Sequence, residues 1–281
     1  MKSGAILLDK KVGLTSRKEV NNVSFKLGEK KAGHIGTLDP FADGLLIILL
    51  GKATKISPFL ENMDKEYLAT LKLGELTDSG DNTGNIISRK EVPLLSKERI
   101  NEVFSSFIGK NSQLPPMYSA IKVNGKELYK YAREGKEIER KEREITIYSL
   151  SLISFDKDSI TFLTKVSKGT YIRTLGEDIA SRLNTVGHLT KLTRTKIGEY
   201  SLNDAVNSDN VTDKDLIPVE KMLSFLPMVE VDEELSKKIQ NGMHVRLNSN
   251  DDLVLVNDKD GAIAIYKKDH KDIYSCVRGL R

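Results

Sequence analysis

The chain predicts a mixed α+β fold, and three observations predict it. Short apolar runs of strand length alternate with stretches of helical period, two of the runs are set up as a hairpin, and the regular βαβ repeat of a dinucleotide fold is missing. Residues 5–8 form the first apolar strand, and a helix follows around residues 17–27. Residues 45–50, LLIILL, are apolar without interruption and read as a buried strand, with a further strand at residues 67–73. The turn-rich string TDSGDNTGN, residues 77–85, lacks the spacing and terminal glutamate of a calcium loop and is expected to be a flexible surface loop. Helices are expected at residues 96–107, 126–134 and 172–183. Residues 146–155 and 159–166 are the hairpin strands, joined across Asp156-Lys157-Asp158. A boundary falls between Pro218 and Pro227, so the expected division is residues 1–225 and 226–281. Beyond it, short strands are separated by Asn, Asp and Gly turns, as in LVLVNDKDGAIAIY.

Composition narrows the function classes. The 281 residues, 39% hydrophobic, suffice for one large and one small soluble unit. A single cysteine, Cys276, rules out a disulfide framework and a cysteine-based zinc site, and the four histidines are far apart, so no metal is expected. The longest apolar run is far short of the roughly 20 residues a membrane span needs, and the start, MKSGAILLDKK, is too weakly apolar for a signal peptide. A cytoplasmic protein with no membrane partner is expected. The net charge of +4 conceals an asymmetry: residues 203–281 carry 15 acidic and 11 basic side chains, leaving a net +8 on residues 1–202. The excess is concentrated. Residues 10–31 and 165–196 each hold 7 basic and 2 acidic side chains, and residues 122–143 hold 8 and 5, interleaved with Tyr129 and Tyr131. Any one such run is ordinarily a solvated face; three of them around one motif point to a polyanion such as RNA.

That motif is KAGHIGTLDPFADGLLIILLG, residues 31–51. The Asp39-Pro40 step keeps the aspartate out of a helix and on a chain reversal, where a substrate can approach its carboxylate. A lone Asp-Pro is ordinarily just a turn. Here the whole string, with Lys31, Gly33, His34, Gly36, Thr37, Leu38, Asp39, Pro40 and Asp43-Gly44, resembles the aspartate motif of the bacterial tRNA pseudouridine-55 synthase (TruB) family. Four other blocks resemble the same family in the same order. They are GAILLDKKVGLTS (residues 4–16), DKEY (64–67), QLPPMYSAIKVNGKELYKYAREG (113–135) and SKGTYIRT (167–174). The similarity runs over about residues 4–202; Lys11 in place of the usual proline and Ile35 in place of threonine replace none of the key residues.

The resemblance implies a pseudouridine synthase fold, a bent and largely antiparallel sheet flanked by helices, with a small PUA-like β domain at residues 226–281. It also implies the activity: isomerisation of uridine 55 in the T-loop of tRNA, with base flipping and without a cofactor. That reaction breaks the bond between ribose and ring nitrogen, rotates the base and rejoins it through carbon, and it needs an ionised carboxylate near the sugar. Asp39 is implied to be that carboxylate, by attack on the sugar, attack on the ring, or abstraction of the 2′ proton. Arg173 is implied to pair with Asp39, and Tyr67 to lie against the base. Phenol, with a reference pKa of about 10, is a poor base at neutral pH, so Tyr67 serves either as proton acceptor or as a stacking surface. His34 is implied to stack in the opened loop, and Tyr171 to form a wall that orients Arg173. Residues 113–146 are implied to be an insertion that grips the RNA. Lys10 or Lys11, Lys52, Lys122 and Arg194 are candidate phosphate contacts.

The competing readings are a non-catalytic RNA-binding or tRNA-folding module, in which Asp39 is dispensable, and an RNA glycosidase, which would release free uracil. The guide-RNA-dependent branch of the family is disfavoured, because no extended basic tail is present. A monomer acting on tRNA alone is expected.

Overall fold

The computed structural model describes residues 2–281. Its centre is a ten-stranded, largely antiparallel sheet. In spatial order its main path runs Val206–Asn207, Gly4–Lys10, Asp43–Leu50, Gly187–Ile197, Lys65–Leu73, Ser159–Val166, Arg143–Phe155 and Gly109–Gln113. Ala32–Ile35 adds to Asp43–Leu50, and Tyr200–Ser201 to Gly187–Ile197.

The apolar run in Asp43–Leu50 is buried on both faces of the sheet, as an uninterrupted hydrophobic strand requires. Leu46, Ile48 and Leu50 pack with Ile6 and Leu8 beneath Val20, Val23 and Leu27 of the helix Ser16–Leu27. Leu45, Ile47 and Leu49 point the other way, into a core that also contains Leu255, Ile265 and Leu280. The helix is fixed at both ends. Thr15 accepts from the Lys18 amide at 3.1 Å, and Gly28, at φ +70°, closes the last turn in the left-handed region.

The two halves of the sheet meet where Gly187–Ile197 runs parallel to Asp43–Leu50 for one short register, Thr193 opposite Asp43 and Arg194 opposite Gly44. A side chain at Gly44 would lie 2.4 Å from the Arg194 carbonyl oxygen, so this crossing requires glycine. Gly187–Ile197 is a strand absent from the sequence-based expectation, because its alternating threonines and basic residues conceal its period.

Most other elements fall where the sequence places them. The hairpin strand Ser159–Val166 has the predicted bounds, and Lys97–Ser105 and Ile172–Arg182 match two predicted helices. The third shrinks to Leu128–Arg133, behind the two-residue strands Lys122–Val123 and Lys126–Glu127. Residues 77–85 are not a mobile loop. Thr77, Ser79 and Asp81 are buried, and the Asp81 carboxylate accepts from Ser79 Oγ (2.9 Å) and the Thr83 amide (2.9 Å).

A second sheet, of five strands, runs Met228–Glu230, Leu253–Asp258, Gly261–His270, Ile273–Gly279 and Val245–Arg246 in spatial order. It curls around the helix Glu233–Gln240, which the sequence reading missed and which Asp232 caps by accepting from the Leu235 amide at 2.8 Å. Val254 and Val256 face this local core, whereas Leu255 faces the large core. Among the described residues no helix is long and apolar enough to cross a membrane.

Candidate active site

Pro40 opens a reversal after Asp39, closed by the Ala42 amide donating to the Asp39 carbonyl at 3.1 Å. Two contacts from the loop before the first helix hold this turn. Gly13 N–H donates to the Pro40 carbonyl (2.7 Å), and buried Ser16 bonds the peptide groups on both sides of Leu38, donating to its carbonyl (3.0 Å) and accepting from its amide (2.9 Å). The aspartate is therefore presented by a braced loop, with 36% of its side chain exposed into the cleft.

Arg173 meets it from the first turn of the helix Ile172–Arg182. Its side chain is only 4% exposed, and its Nε lies 2.9 Å from Asp39 Oδ2. The other two guanidinium nitrogens donate to the carbonyls of Ser79 (2.6 Å) and Tyr118 (2.7 Å). Asp81 Oδ2 stands 3.9 Å from the same Nε. Each guanidinium nitrogen thus has an acceptor, which orients the planar fork toward Asp39.

Burial raises the Asp39 pKa, and the Asp81 charge adds to that; the Arg173 charge and hydrogen bond, with a smaller contribution from Lys10, oppose it. The net shift is upward. Around the pair lies a cleft of about 620 Å³, lined also by His34, Tyr67, Tyr118, Ser119, Lys168 and Tyr171. Tyr67 belongs to the central strand Lys65–Leu73, between Thr164 and Arg194. His34 Nε2 is 3.2 Å from Thr37 Oγ1, and burial together with Arg17 and Arg194 lowers its pKa below 6.5, so the ring is neutral at pH 7. Burial likewise raises the Tyr171 pKa and keeps the phenol protonated.

Six predicted residues therefore converge on one cleft: Asp39, Arg173, Tyr67, His34 and Tyr171, with Arg194 in its floor. Two of the candidate phosphate contacts are almost wholly buried. Lys10 is fully buried and donates to the carbonyls of Lys11 (3.0 Å) and Leu14 (2.7 Å), bracing the loop that supports Asp39, and burial lowers its pKa to about 8. Arg194, 1% exposed, donates to the carbonyls of Leu45 (2.8 Å) and Gly36 (2.9 Å) in the cleft floor. Both sit in runs of basic residues that suggest a surface; the strands that carry them run through the core. Lys52 and Lys122 are exposed but lie outside the cleft lining. The sequence reading missed Ser16, Ser79, Asp81 and the Tyr118 carbonyl, because carbonyls carry no residue signature and the loop of residues 77–85 meets Arg173 only in three dimensions.

The profile of the TruB family pseudouridylate synthase N-terminal domain matches residues 25–172. Proteins named tRNA pseudouridine synthase B are similar over most of their length. That of Hydrogenovibrio crunogenus is 48% identical over 85% of this chain and 80% of its own; that of Francisella philomiragia, 41% over 97% and 93%; that of Mesoplasma florum, 38% over 99% and 98%. The chain belongs to the TruB family. The same fold is seen in a Cbf5-Nop10-Gar1 complex (TM-score 0.74, 24% identity, 99% of this chain and 85% of that chain). It is seen again in an H/ACA RNP bound to a substrate RNA containing 2′-deoxyuridine (TM-score 0.73, 22% identity, the same coverage).

Proposed function

We propose that this enzyme isomerises uridine 55 in the T-loop of tRNA to pseudouridine, with residues 1–225 as the catalytic unit and residues 226–281 as a PUA-like accessory. One observation carries the reading: Asp39 Oδ2 sits 2.9 Å from Arg173 Nε on a turn that opens into a cleft walled by three tyrosines and a histidine. Each candidate route to C–N cleavage begins from a charged carboxylate beside the sugar. The guanidinium keeps that charge accessible in a site whose burial would otherwise suppress it. When the base turns over and C5 bonds to the ribose, the C5 proton must leave and the ring nitrogen must gain one. Tyr67 takes that proton itself or holds the water that does, while its ring packs against the base.

Extruding the target base from a folded loop costs a few kcal/mol. His34, neutral and partly buried at the cleft wall, is suited to occupy the vacated stack. The insertion contributes Tyr118, Ser119 and Ala120 to the cleft lining and carries a dense set of cations beyond it. In the free protein most of them are paired with its own acids, Lys130 with Glu127 at 2.8 Å and Lys126 with Glu134, exposed bridges that phosphates can displace. The protein is read as cytoplasmic, monomeric and independent of a guide RNA. The test is to incubate it with an unmodified tRNA transcript, without metal or nucleotide, and to map pseudouridine chemically. One product at position 55 is expected. Product elsewhere overturns the site, and release of free uracil identifies a glycosidase.

A further inference from the structure

Residues 113 and 143 are the two feet of the insertion, and they stand opposite each other in the sheet, as the last residue of Gly109–Gln113 and the first of Arg143–Phe155. The Gln113 side chain does not point outward with the insertion. It is 4% exposed, and its amide grips the backbone of Tyr171 on both sides: Nε2 donates to the Tyr171 carbonyl at 3.1 Å, and Oε1 accepts from the Tyr171 amide at 2.8 Å. Tyr171 is the extended residue from which the Arg173 helix starts, and no side chain caps that helix end. The insertion reaches the same arginine a second way, through the Tyr118 carbonyl on Nη2.

We infer that Gln113 is a positioning residue that couples the insertion to the catalytic pair, so that an insertion seated on RNA holds Arg173 in the direction from which it faces Asp39. The inference rests on the reading of residues 113–146 as the RNA grip. A rigid two-point clamp is the simplest mechanical link at such a place. The Leu175 amide already holds the Tyr171 carbonyl at 3.0 Å; the Gln113 amide adds a second donor to that carbonyl and supplies the acceptor for the Tyr171 amide, so that the peptide planes on both sides of Tyr171 are held, and Arg173 is two residues along the same chain. The amide is the one uncharged side-chain group here that can donate and accept in parallel. A carboxylate can only accept, and would set a negative oxygen against the Tyr171 carbonyl. A protonated carboxyl restores both bonds.

That difference supplies the test. Single-turnover rates and tRNA affinities are measured for wild type, Gln113→Ala and Gln113→Glu from pH 5.5 to 8.5, with thermal melting of each at the same pH. Gln113→Ala should lose roughly ten- to hundredfold in rate, the effect of leaving the Tyr171 amide unpaired and its carbonyl held by the Leu175 amide alone, with affinity within about threefold of wild type. Gln113→Glu should match that loss at pH 8.5 and recover toward wild type as pH falls and the carboxyl protonates. Rates of both variants within threefold of wild type, a Gln113→Glu profile parallel to wild type, or a loss that follows affinity or melting would each overturn the inference. The wild-type arm reports separately on the proposed activity, since an inactive wild type would defeat that reading and not the clamp.

Discussion

At Asp39, burial and the Arg173 guanidinium act on one carboxyl in opposite directions, and burial prevails, so the group titrates above the ordinary carboxylate value of 3.8. The rate should therefore fall on the acid side as pH drops through this raised value. Arg173→Ala removes the two larger influences that hold the pKa down, leaving only Lys10, and should move the acid limb to higher pH, in addition to lowering the maximal rate; a limb that stays in place would mean the pair does not set the charge state. Arg173→Lys should rescue little, because an ammonium cannot serve Asp39, Ser79 and Tyr118 in one plane. One turn along the same helix, burial and the neighbouring Asp178 raise Glu177 from 4.5 to about 7. An acid raised in the folded state costs stability once ionised, so its contribution is fully present below pH 4.5 and lost as pH rises through about 7. Glu177→Gln should accordingly stabilise the protein at pH 8 by about 1 to 3 kcal/mol, with the gain fading toward pH 4.5; equal chemical denaturation midpoints at both pH values would contradict this.

Among the elements, the insertion Lys122 to Arg143 stands out for the density of its charge, and its exposed ion pairs make its role measurable. Replacing Lys122, Lys126 and Lys130 together by alanine should weaken tRNA binding. It should also make the slope of log affinity against log salt shallower by about 0.7 to 0.9 for each phosphate that the variant no longer neutralises. An unchanged slope would assign these lysines to a solvated face. The elements that were legible in the sequence share a cause: the aspartate string, the Asp156-Lys157-Asp158 hairpin and the Arg173 helix are specified by residues close together in the chain. The strand Gly187–Ile197 and the braced loop around Asp81 were not legible, because a neighbouring strand and a distant arginine decide their burial. The burial of Lys10 and Arg194 is hidden from the sequence for the same reason, both being charges that carbonyl oxygens solvate inside the fold.

The whole molecule is held by a shared interior. Leu255 and Ile265 of the second sheet lie in one core with Leu45 and Ile47 of the first. The bidentate pair of Arg281 with Asp258 (2.6 and 2.7 Å) and the Lys55 bond to the Arg281 carbonyl (3.1 Å) tie the same seam. Ile265→Ala should thus cost about 2 to 5 kcal/mol and lower a single melting transition that carries catalytic inactivation with it; two separate transitions would show independent units. The sequence indicated a second β unit by its turn spacing, but the seam that joins it to the first appears only when alternate residues of Leu253–Asp258 are seen to face opposite cores. The proposed chemistry depends on Asp39. The direct measurement is single-turnover release of tritium from tRNA transcribed with [5-³H]uridine, by wild type and by Asp39→Asn, with tRNA affinity determined for both. Wild type should release the label of one uridine per tRNA, and Asp39→Asn should bind comparably and release none; release by Asp39→Asn at a rate near wild type would contradict the assignment of the chemistry to this carboxylate.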